Sequence, residues 1–113
     1  MPVRVLVVDD DALTRSVLSR LIRSAGHEIT GAGSGAEALE HLRARPYDVL
    51  LTDQVMPGMS GIELISASRD LAYPLRCIII SGGQRPTQGL PDDVTWLMKP
   101  IDADLLIEKI GAP

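Results

Sequence analysis

The sequence predicts an α/β fold in which helices cover both faces of a parallel sheet. Three observations support this prediction. Apolar runs of strand length alternate with segments whose apolar residues recur at helical spacing. The runs lack the polar alternation of half-exposed strands, and Val49–Leu51 is the clearest of them. Several runs lead into a charged or hydroxyl residue, as this one does into Asp53, and open α/β sheets bind ligands at the carboxyl ends of their strands.

Length and composition restrict the possible functions. The 113 residues, 45% of them hydrophobic, predict a single domain over residues 1–113. With no Phe, two Tyr and one Trp, the chain lacks the stacking platforms of single-stranded nucleic-acid binders, and its net charge of −4 argues against direct nucleic-acid binding. The single cysteine, Cys77, excludes an internal disulfide and suits a reducing compartment. No apolar run approaches the ~20 residues of a membrane span, so we expect a cytoplasmic protein.

The first predicted unit is a strand over Val3–Val8 followed by a helix over Ala12–Ala25. Gly26 is the expected C-terminal stop of this helix. Apolar residues form two neighbouring rows along this segment, at the spacing of a helix. The rows consist of Leu13, Val17 and Leu21, and of Leu18, Ile22 and Ala25.

The second unit is a weaker strand and a short helix. The strand, His27–Ala32, is more polar than the others, which suits the edge of a sheet. Ser34 and Glu37 have the spacing of a capping box, in which each side chain bonds the backbone of the other residue. The helix that they begin ends before Pro46.

The third unit contains the strand Asp48–Asp53 and then a loop rich in Pro and Gly. Ser60 and Glu63 repeat the capping-box spacing. The helix that follows them is expected to reach about Ala72, where Tyr73-Pro74 breaks it.

The last two strands are Arg76–Ser81 and Val94–Met98. The segment between them, Gly82–Asp93, has three Gly and two Pro and no apolar residue at helical spacing. We therefore expect the fourth helix to be missing or reduced to a turn, and this segment to be the most mobile part of the domain. Asp102 caps a short last helix that Gly111 closes.

The order of the strands follows from their polarity. The second and fifth strands are the weaker ones and belong at the edges of the sheet. This placement, with right-handed crossovers, predicts a flavodoxin-like (βα)5 sandwich with the strand order 2-1-3-4-5.

Five polar side chains lie at the carboxyl ends of the strands and so along one edge of the sheet, the edge that these strand ends form: Asp9, Asp10, Asp53, Ser81 and Lys99. Two like charges ~4 Å apart repel by ~1 kcal/mol in water and by ~4 kcal/mol at an effective dielectric of 20. Three carboxylates at one edge are therefore unfavourable unless a cation joins them. Oxygen ligands without His or thiolate suit Mg²⁺.

A divalent cation, an amine and a hydroxyl around one carboxylate describe a site for phosphoryl transfer, with Asp53 as the candidate nucleophile. Each residue has an ordinary alternative when it is taken alone. Asp9, Asp10 and Asp11 also suit a solvated helix start, Asp53 a helix cap, and Lys99 an exposed charge at a strand end. The joint pattern favours phosphoryl chemistry.

Four motifs in this order resemble one known family over essentially the whole chain. They are Val7-Val8-Asp9-Asp10, Asp53 with Met56-Pro57-Gly58-Met59-Ser60-Gly61, Ser81, and Lys99-Pro100. The family is the receiver domain of two-component response regulators. The resemblance implies that Asp53 is the phosphoacceptor and that Asp9, Asp10, Asp53 and the backbone carbonyl of Val55 are ligands of Mg²⁺.

The resemblance also implies a switch. Ser81 would close on the phosphoryl group, Lys99 would pair with it, and the Lys99–Pro100 peptide would be cis. Trp96 falls at the family's aromatic switch position, where Tyr or Phe is usual. The Gly82–Asp93 segment departs from the family, because it is short and lacks the pattern of a fourth helix. In the family, that helix belongs to the face used for dimerisation and output.

We therefore predict a phosphoryl-accepting receiver of a two-component phosphorelay. A sensor histidine kinase or phosphotransfer protein donates phosphate from a phosphohistidine, and the modified domain changes its binding to a downstream protein. The chain is not expected to turn over a substrate, since it catalyses only its own phosphorylation and dephosphorylation. A free-standing regulator, a part of a hybrid kinase and a part of a longer regulator all fit, and Met1 with compact ends favours the first.

Three alternatives remain in view. A phosphorylation-independent interaction module would keep the fold, and the unusual Gly82–Asp93 segment favours it. A haloacid-dehalogenase-like phosphatase needs a second Asp two residues after the nucleophile, where this chain has Val55. A flavodoxin-type FMN binder needs a phosphate loop after the first strand, where three Asp would repel the phosphate.

Overall fold

The computed structural model describes residues 3–111. Its parallel sheet has five strands in the order β2-β1-β3-β4-β5, namely β1 Arg4–Val8, β2 Glu28–Ala32, β3 Val49–Asp53, β4 Arg76–Ser81 and β5 Thr95–Met98. The helices are α1 Ala12–Ser24, α2 Gly35–Ala44, α3 Gly61–Ala67 and α4 Ala103–Gly111, with a 3-10 turn over Ser68–Asp70. The flavodoxin-like fold and the strand order are confirmed. None of the helices within residues 3–111 is long and apolar enough to cross a membrane.

Each face of the sheet carries its own apolar core, because successive strand residues point to opposite faces. Leu6, Leu50 and Ile79 pack with α2 and α3 on one face. Val7 and Ile78 lie on the other face, which α1 and α4 cover. The central strands are buried on both faces, as their lack of polar alternation predicts.

Cys77 of β4 is buried in the core, and burial raises the pKa of its thiol to about 11.

Arg76, the first residue of β4, connects the strand to α4. It donates from Nη1 to the carbonyl of Lys109 at 2.9 Å and from Nη2 to that of Ile110 at 2.6 Å. These bonds satisfy carbonyls at the end of α4 that have no partner within the helix.

No helix occurs in the described residues between β4 and β5, so the prediction of a missing fourth helix is confirmed. Two arginines hold the segment. Arg85 donates to the carbonyls of Val94 at 2.5 Å and Pro91 at 2.9 Å. Arg69, in the 3-10 turn after α3, makes a bidentate pair with Asp93 at 3.0 and 3.1 Å. These contacts take the place of helix packing.

The two apolar rows of α1 are not buried alike. Leu18 and Ile22 are buried against the sheet and Leu21 packs beside them, whereas Leu13 is 73% exposed and Val17 is 59% exposed. Helical periodicity identifies neighbouring rows but does not specify the rotation of the helix about its axis. That rotation depends on the sheet below.

Two predictions about the helices need correction. Ser34 accepts the amide of Glu37 at 3.1 Å, but the Glu37 carboxylate accepts from Gly33 at 3.0 Å and not from the cap residue. The reciprocal capping box is present only at Ser60 and Glu63 among the described helices. The third helix also ends earlier than predicted, since α3 stops at Ala67 and the 3-10 turn at Asp70.

Candidate functional site

An acidic cluster lies at the carboxyl ends of β1 and β3. The two strands are paired so that Val8 lies beside Thr52, and the next residue of each strand is an aspartate. Carboxylate oxygens of Asp9, Asp10 and Asp53 lie within 4.8 Å of one another. The structure thus brings together the three acids that the sequence places at this edge.

Asp9 is the buried member of the cluster, only 3% exposed. Its backbone N–H donates to the carbonyl of Ala32 at 3.1 Å, and its Oδ1 accepts the amide of Asp11 at 2.9 Å. Burial raises the pKa of Asp9, and the negative charges of Asp53 and Asp10 raise it further, against the Asp11 hydrogen bond and Lys99.

Lys99 reaches the cluster from the end of β5. Its Nζ lies 3.2 Å from Oδ1 of Asp53, whose side chain is only 10% exposed. The Lys99 amide donates to the carbonyl of Ser81 at 2.8 Å, which continues the pairing of β5 with β4. The Lys99–Pro100 peptide is cis, as the resemblance implies.

Ser81 and Trp96 meet at one glycine that sequence reasoning did not identify. Ser81 is 5% exposed, and its Oγ accepts the amide of Gly83 at 3.0 Å. The indole N–H of Trp96 donates to the carbonyl of the same Gly83 at 2.9 Å. The predicted switch hydroxyl and the predicted switch aromatic are therefore connected through the backbone of one residue.

The loop after β3 is held close to Asp53. The Gln54 amide donates to the carbonyl of Ile80 at 3.0 Å, and its side chain accepts the amide of Ile62, near the start of α3, at 2.9 Å. A Cβ added to Gly61 would lie 2.7 Å from the backbone oxygen of Asp53. The side chain of Val55 is 77% exposed, which leaves this residue accessible at the sheet edge.

The donor set fits a hard divalent cation. The clustered side chains are all carboxylates, and carboxylate oxygens are the protein ligands that Mg²⁺ prefers. The raised pKa of Asp9 shows that its charged form is disfavoured without a cation. One acidic cluster with a lysine at its edge is therefore chemically suited to Mg²⁺ and a phosphoryl group.

Comparison with known proteins identifies the family. The family model described as the response regulator receiver domain matches residues 5–111. The chain is 34% identical over 111 residues to the response regulator receiver protein CpdR of Brucella abortus (strain 2308), a match that covers 95% of this chain and 92% of CpdR.

Two solved structures extend the likeness to three dimensions. The receiver domain of the hybrid histidine kinase CckA has a TM-score of 0.82 at 35% identity, over 95% of this chain and 94% of that one. The response regulator TrrA of Thermotoga maritima, solved in complex with Mg²⁺-BeF, has a TM-score of 0.86 at 31% identity, over 97% and 96%.

Proposed function

Because the chain belongs to the response regulator receiver domains, we propose that it accepts a phosphoryl group on Asp53 and thereby changes its affinity for a partner protein. One observation carries the proposal. Asp53 lies among two further carboxylates within 4.8 Å and an ammonium group at 3.2 Å. This environment provides for a cation and for an anionic group at the same carboxylate.

The reaction is a phosphoryl exchange between two side chains. A carboxylate oxygen of Asp53 attacks the phosphorus of a phosphohistidine, a P–O bond forms, the P–N bond breaks, and the histidine nitrogen keeps the electron pair. Water later attacks the acyl phosphate, which releases phosphate and restores the carboxylate. The domain therefore modifies only itself and turns over no separate substrate.

Mg²⁺ would be held by Asp9, Asp10, Asp53 and the backbone carbonyl of Val55, and when bound it would neutralise charge on the phosphoryl oxygens. Lys99 supplies the protein's own positive charge at the same carboxylate. In the phosphorylated state its ammonium group would move from Asp53 Oδ1 to a phosphoryl oxygen. Electrostatic stabilisation of this kind is effective because the acceptor is nearly buried.

The switch would begin at Ser81. Its hydroxyl oxygen accepts the amide of Gly83, and closing on the phosphoryl group would require the hydroxyl to turn and donate. Gly83 would then move, and Trp96 would lose the carbonyl that its indole N–H now bonds. This sequence of contacts would change the surface formed by β5 and the segment before it, where a downstream protein would bind.

The phosphodonor is a histidine kinase or a phosphotransfer protein. Leu13 and Val17 form an exposed apolar surface on α1, which begins three residues after Asp9. An apolar surface beside the acceptor suits a protein donor that must dock before transfer. Substitution of Leu13 by Ser should slow transfer from a phosphorylated kinase and leave labelling by acetyl phosphate unchanged.

We propose that residues 1–113 form one receiver unit, and three arrangements are compatible with it. A free-standing regulator agrees with the match to CpdR, 92% of which is covered. A receiver within a hybrid kinase agrees with the likeness to CckA, and a receiver within a longer regulator also remains compatible.

A phosphorylation-independent interaction module is the second candidate. The observation that favours it is the missing helix between β4 and β5, because a receiver without this helix could bind a partner in one state only.

Acetyl phosphate with Mg²⁺, followed by intact-mass measurement, distinguishes the two candidates. The wild type should gain one phosphoryl group, and Asp53→Asn should gain none. Asp48→Asn is the matched control, since Asp48 directly precedes the opposite end of β3 and its Oδ2 accepts the Arg4 amide at 2.8 Å, a role that an asparagine oxygen can keep. Equal labelling of wild type and Asp53→Asn would overturn the assignment, and no labelling of the wild type would favour the interaction module.

A further inference from the structure

Arg15 contacts the acidic cluster at the backbone of Asp9. It lies in the first turns of α1, and its Nη1 donates to the backbone carbonyl of Asp9 at 2.6 Å. That carbonyl belongs to the peptide unit that joins Asp9 to Asp10. The bond is charge-assisted, which makes it one of the stronger hydrogen bonds available to a carbonyl.

The path of this side chain is made possible by two glycines at the end of β2. A Cβ added to Gly31 would lie 3.4 Å from Cδ of Arg15, and one added to Gly33 would lie 3.4 Å from its Nη1. A side chain larger than alanine at either position would therefore enter the space that the arginine occupies. Neither glycine has a positive φ, so backbone conformation is not the reason for their presence.

The peptide that Arg15 holds is the one from which two acidic side chains project. On one side, Asp9 is anchored through its amide to Ala32 and through its carboxylate to Asp11. Arg15 adds the contact at the Asp9 carbonyl. The three bonds together hold the Asp9 carboxylate and the backbone from which the Asp10 side chain projects.

The choice of acceptor is informative. The guanidinium donates to a carbonyl oxygen, so it occupies no carboxylate oxygen of Asp9 or Asp10 that a cation could bind. A direct ion pair with either acid would use the same oxygens that a metal needs.

We propose that Arg15 is a positioning residue of this site, which holds the Asp9–Asp10 peptide so that both carboxylates are preorganised for a divalent cation. This inference rests on the proposed function, in which the acidic cluster binds Mg²⁺. Contacts that orient ligands, rather than bind the metal themselves, typically change metal affinity by about 10- to 100-fold.

The sign of the effect separates positioning from simple electrostatics. Arg15→Met removes a positive charge near the cluster, and this alone would tighten Mg²⁺ binding. If Arg15 positions the ligands, the same substitution weakens binding. Met retains a long apolar stem that can cover the glycines, so the packing over β2 is largely kept.

The test measures Mg²⁺ affinity by calorimetry and the unfolding of the metal-free domain by urea. We expect Arg15→Met to lower the affinity about tenfold with little change in metal-free stability, and Arg15→Lys to restore part of it. Arg20→Met is the control, an exposed arginine of the same helix. Gly31→Val should also weaken binding, although valine has a higher β propensity than glycine and favours the strand itself.

Three results would decide the matter. Affinity of Arg15→Met equal to or higher than that of the wild type would overturn the positioning role while the proposed function stands. Weaker binding in Arg15→Met, with Arg20→Met unchanged, supports it. A wild type that binds no Mg²⁺ at millimolar concentration would overturn the proposed function and this inference together.

Discussion

The connections that follow β3 and β4 border the same carboxylate, and they are built in different ways. After β3, a short loop leads into α3 through a reciprocal capping box at Ser60 and Glu63. Gln54 ties this loop to the helix start. After β4, residues 82–94 (the 82–94 segment) join β4 to β5 without a helix. Side chains that bond backbone carbonyls hold this segment, above all Arg85 and Trp96.

The difference separates a rigid side of the site from a side that can change. After β3, the capping box and the bonds of Gln54 to Ile62 and Ile80 hold the loop at both ends, so the Asp53 side of the site has little freedom. The contacts after β4 come from single long side chains, and each can be released without unfolding the sheet. We infer that the acceptor is held constant while the response is carried by the segment after Ser81.

The largest expected effect is on the rigid side. Gly61→Ala places a Cβ 2.7 Å from the backbone oxygen of Asp53, so the backbone must shift. We expect a loss of about 1–3 kcal/mol in the free energy of unfolding, together with slower phosphorylation.

Gly82→Ala is the matched control on the other side of the site, because nothing lies within 4 Å of the added Cβ. Its effect should stay within about 0.5 kcal/mol in urea denaturation. Equal losses in the two variants would show that the two connections do not differ in rigidity.

The next effect concerns the two arginines that bond the 82–94 segment, Arg85 within it and Arg69 in the 3-10 turn after α3. Arg85→Ala leaves the carbonyl of the buried residue Val94 without its donor, which should cost about 1–2 kcal/mol. Arg69→Ala breaks an ion pair whose side chains are 41% and 66% exposed, and pairs of this kind contribute at most about 1 kcal/mol.

Hydrogen exchange should locate the loss of stability in Arg85→Ala. Arg85→Ala should speed exchange within residues 82–94 and leave the amides of β3 and α3 unchanged. Faster exchange in α3 would mean that the two connections are mechanically coupled.

A smaller effect follows from the raised pKa of Asp9. Because the folded-state pKa lies above the ordinary value, the metal-free fold binds this proton more tightly than the unfolded chain does, and its stability from this group rises as pH falls. Asp9→Asn should therefore stabilise the metal-free domain at pH 7 by about 1 kcal/mol, on the scale of one close like-charge contact in water.

Mg²⁺ should reverse the order of stability of the wild type and Asp9→Asn. It should stabilise the wild type and not Asp9→Asn, and its affinity for the wild type should fall as protons compete for Asp9 at lower pH. Thermal unfolding with and without Mg²⁺ at pH 7 and about 4.5 provides the measurement. An affinity that does not change between these values would contradict the role of the cluster.

The smallest expected change is the ordering of the 82–94 segment. Amides from Gly82 to Leu90 should be weakly protected in the free domain. With beryllofluoride and Mg²⁺ they should exchange about tenfold more slowly at most, which corresponds to a gain of ~1.4 kcal/mol in the free energy of opening. Trp96 is the single tryptophan of the chain, so its fluorescence should change at the same time. Strong protection of these amides before beryllofluoride is added would refute the ordering mechanism.

Much of the fold could be predicted because its signals are local. Apolar runs identified every strand to within one residue at its start, and polarity placed β2 and β5 at the edges. The meeting of Asp9, Asp10, Asp53 and Lys99 followed from the same reasoning, since parallel strands bring their carboxyl ends to one edge. Gly and Pro identified the missing helix because their cost to a helix is intrinsic.

Other features could not be predicted, for different physical reasons. The buried row of α1 depends on the rotation of the helix against the sheet, which exposes Leu13 and buries Leu18. The Glu37 carboxylate accepts the backbone N–H of Gly33 and not that of Ser34, because several N–H groups without a helical partner lie within its reach at a helix start.

The sequence by itself determined which residues form the strands, their order in the sheet and which acids meet at its edge, because strand periodicity and chain topology are encoded in short segments. Only the tertiary structure decided how these acids are held. The bond from Arg15 to the Asp9 carbonyl, the two bonds that meet at Gly83 and the bonds from Arg76 to the end of α4 join side chains to backbone atoms of other elements. A backbone carbonyl or amide has the same chemistry at every residue, so the sequence carries no mark of which one a long side chain will reach.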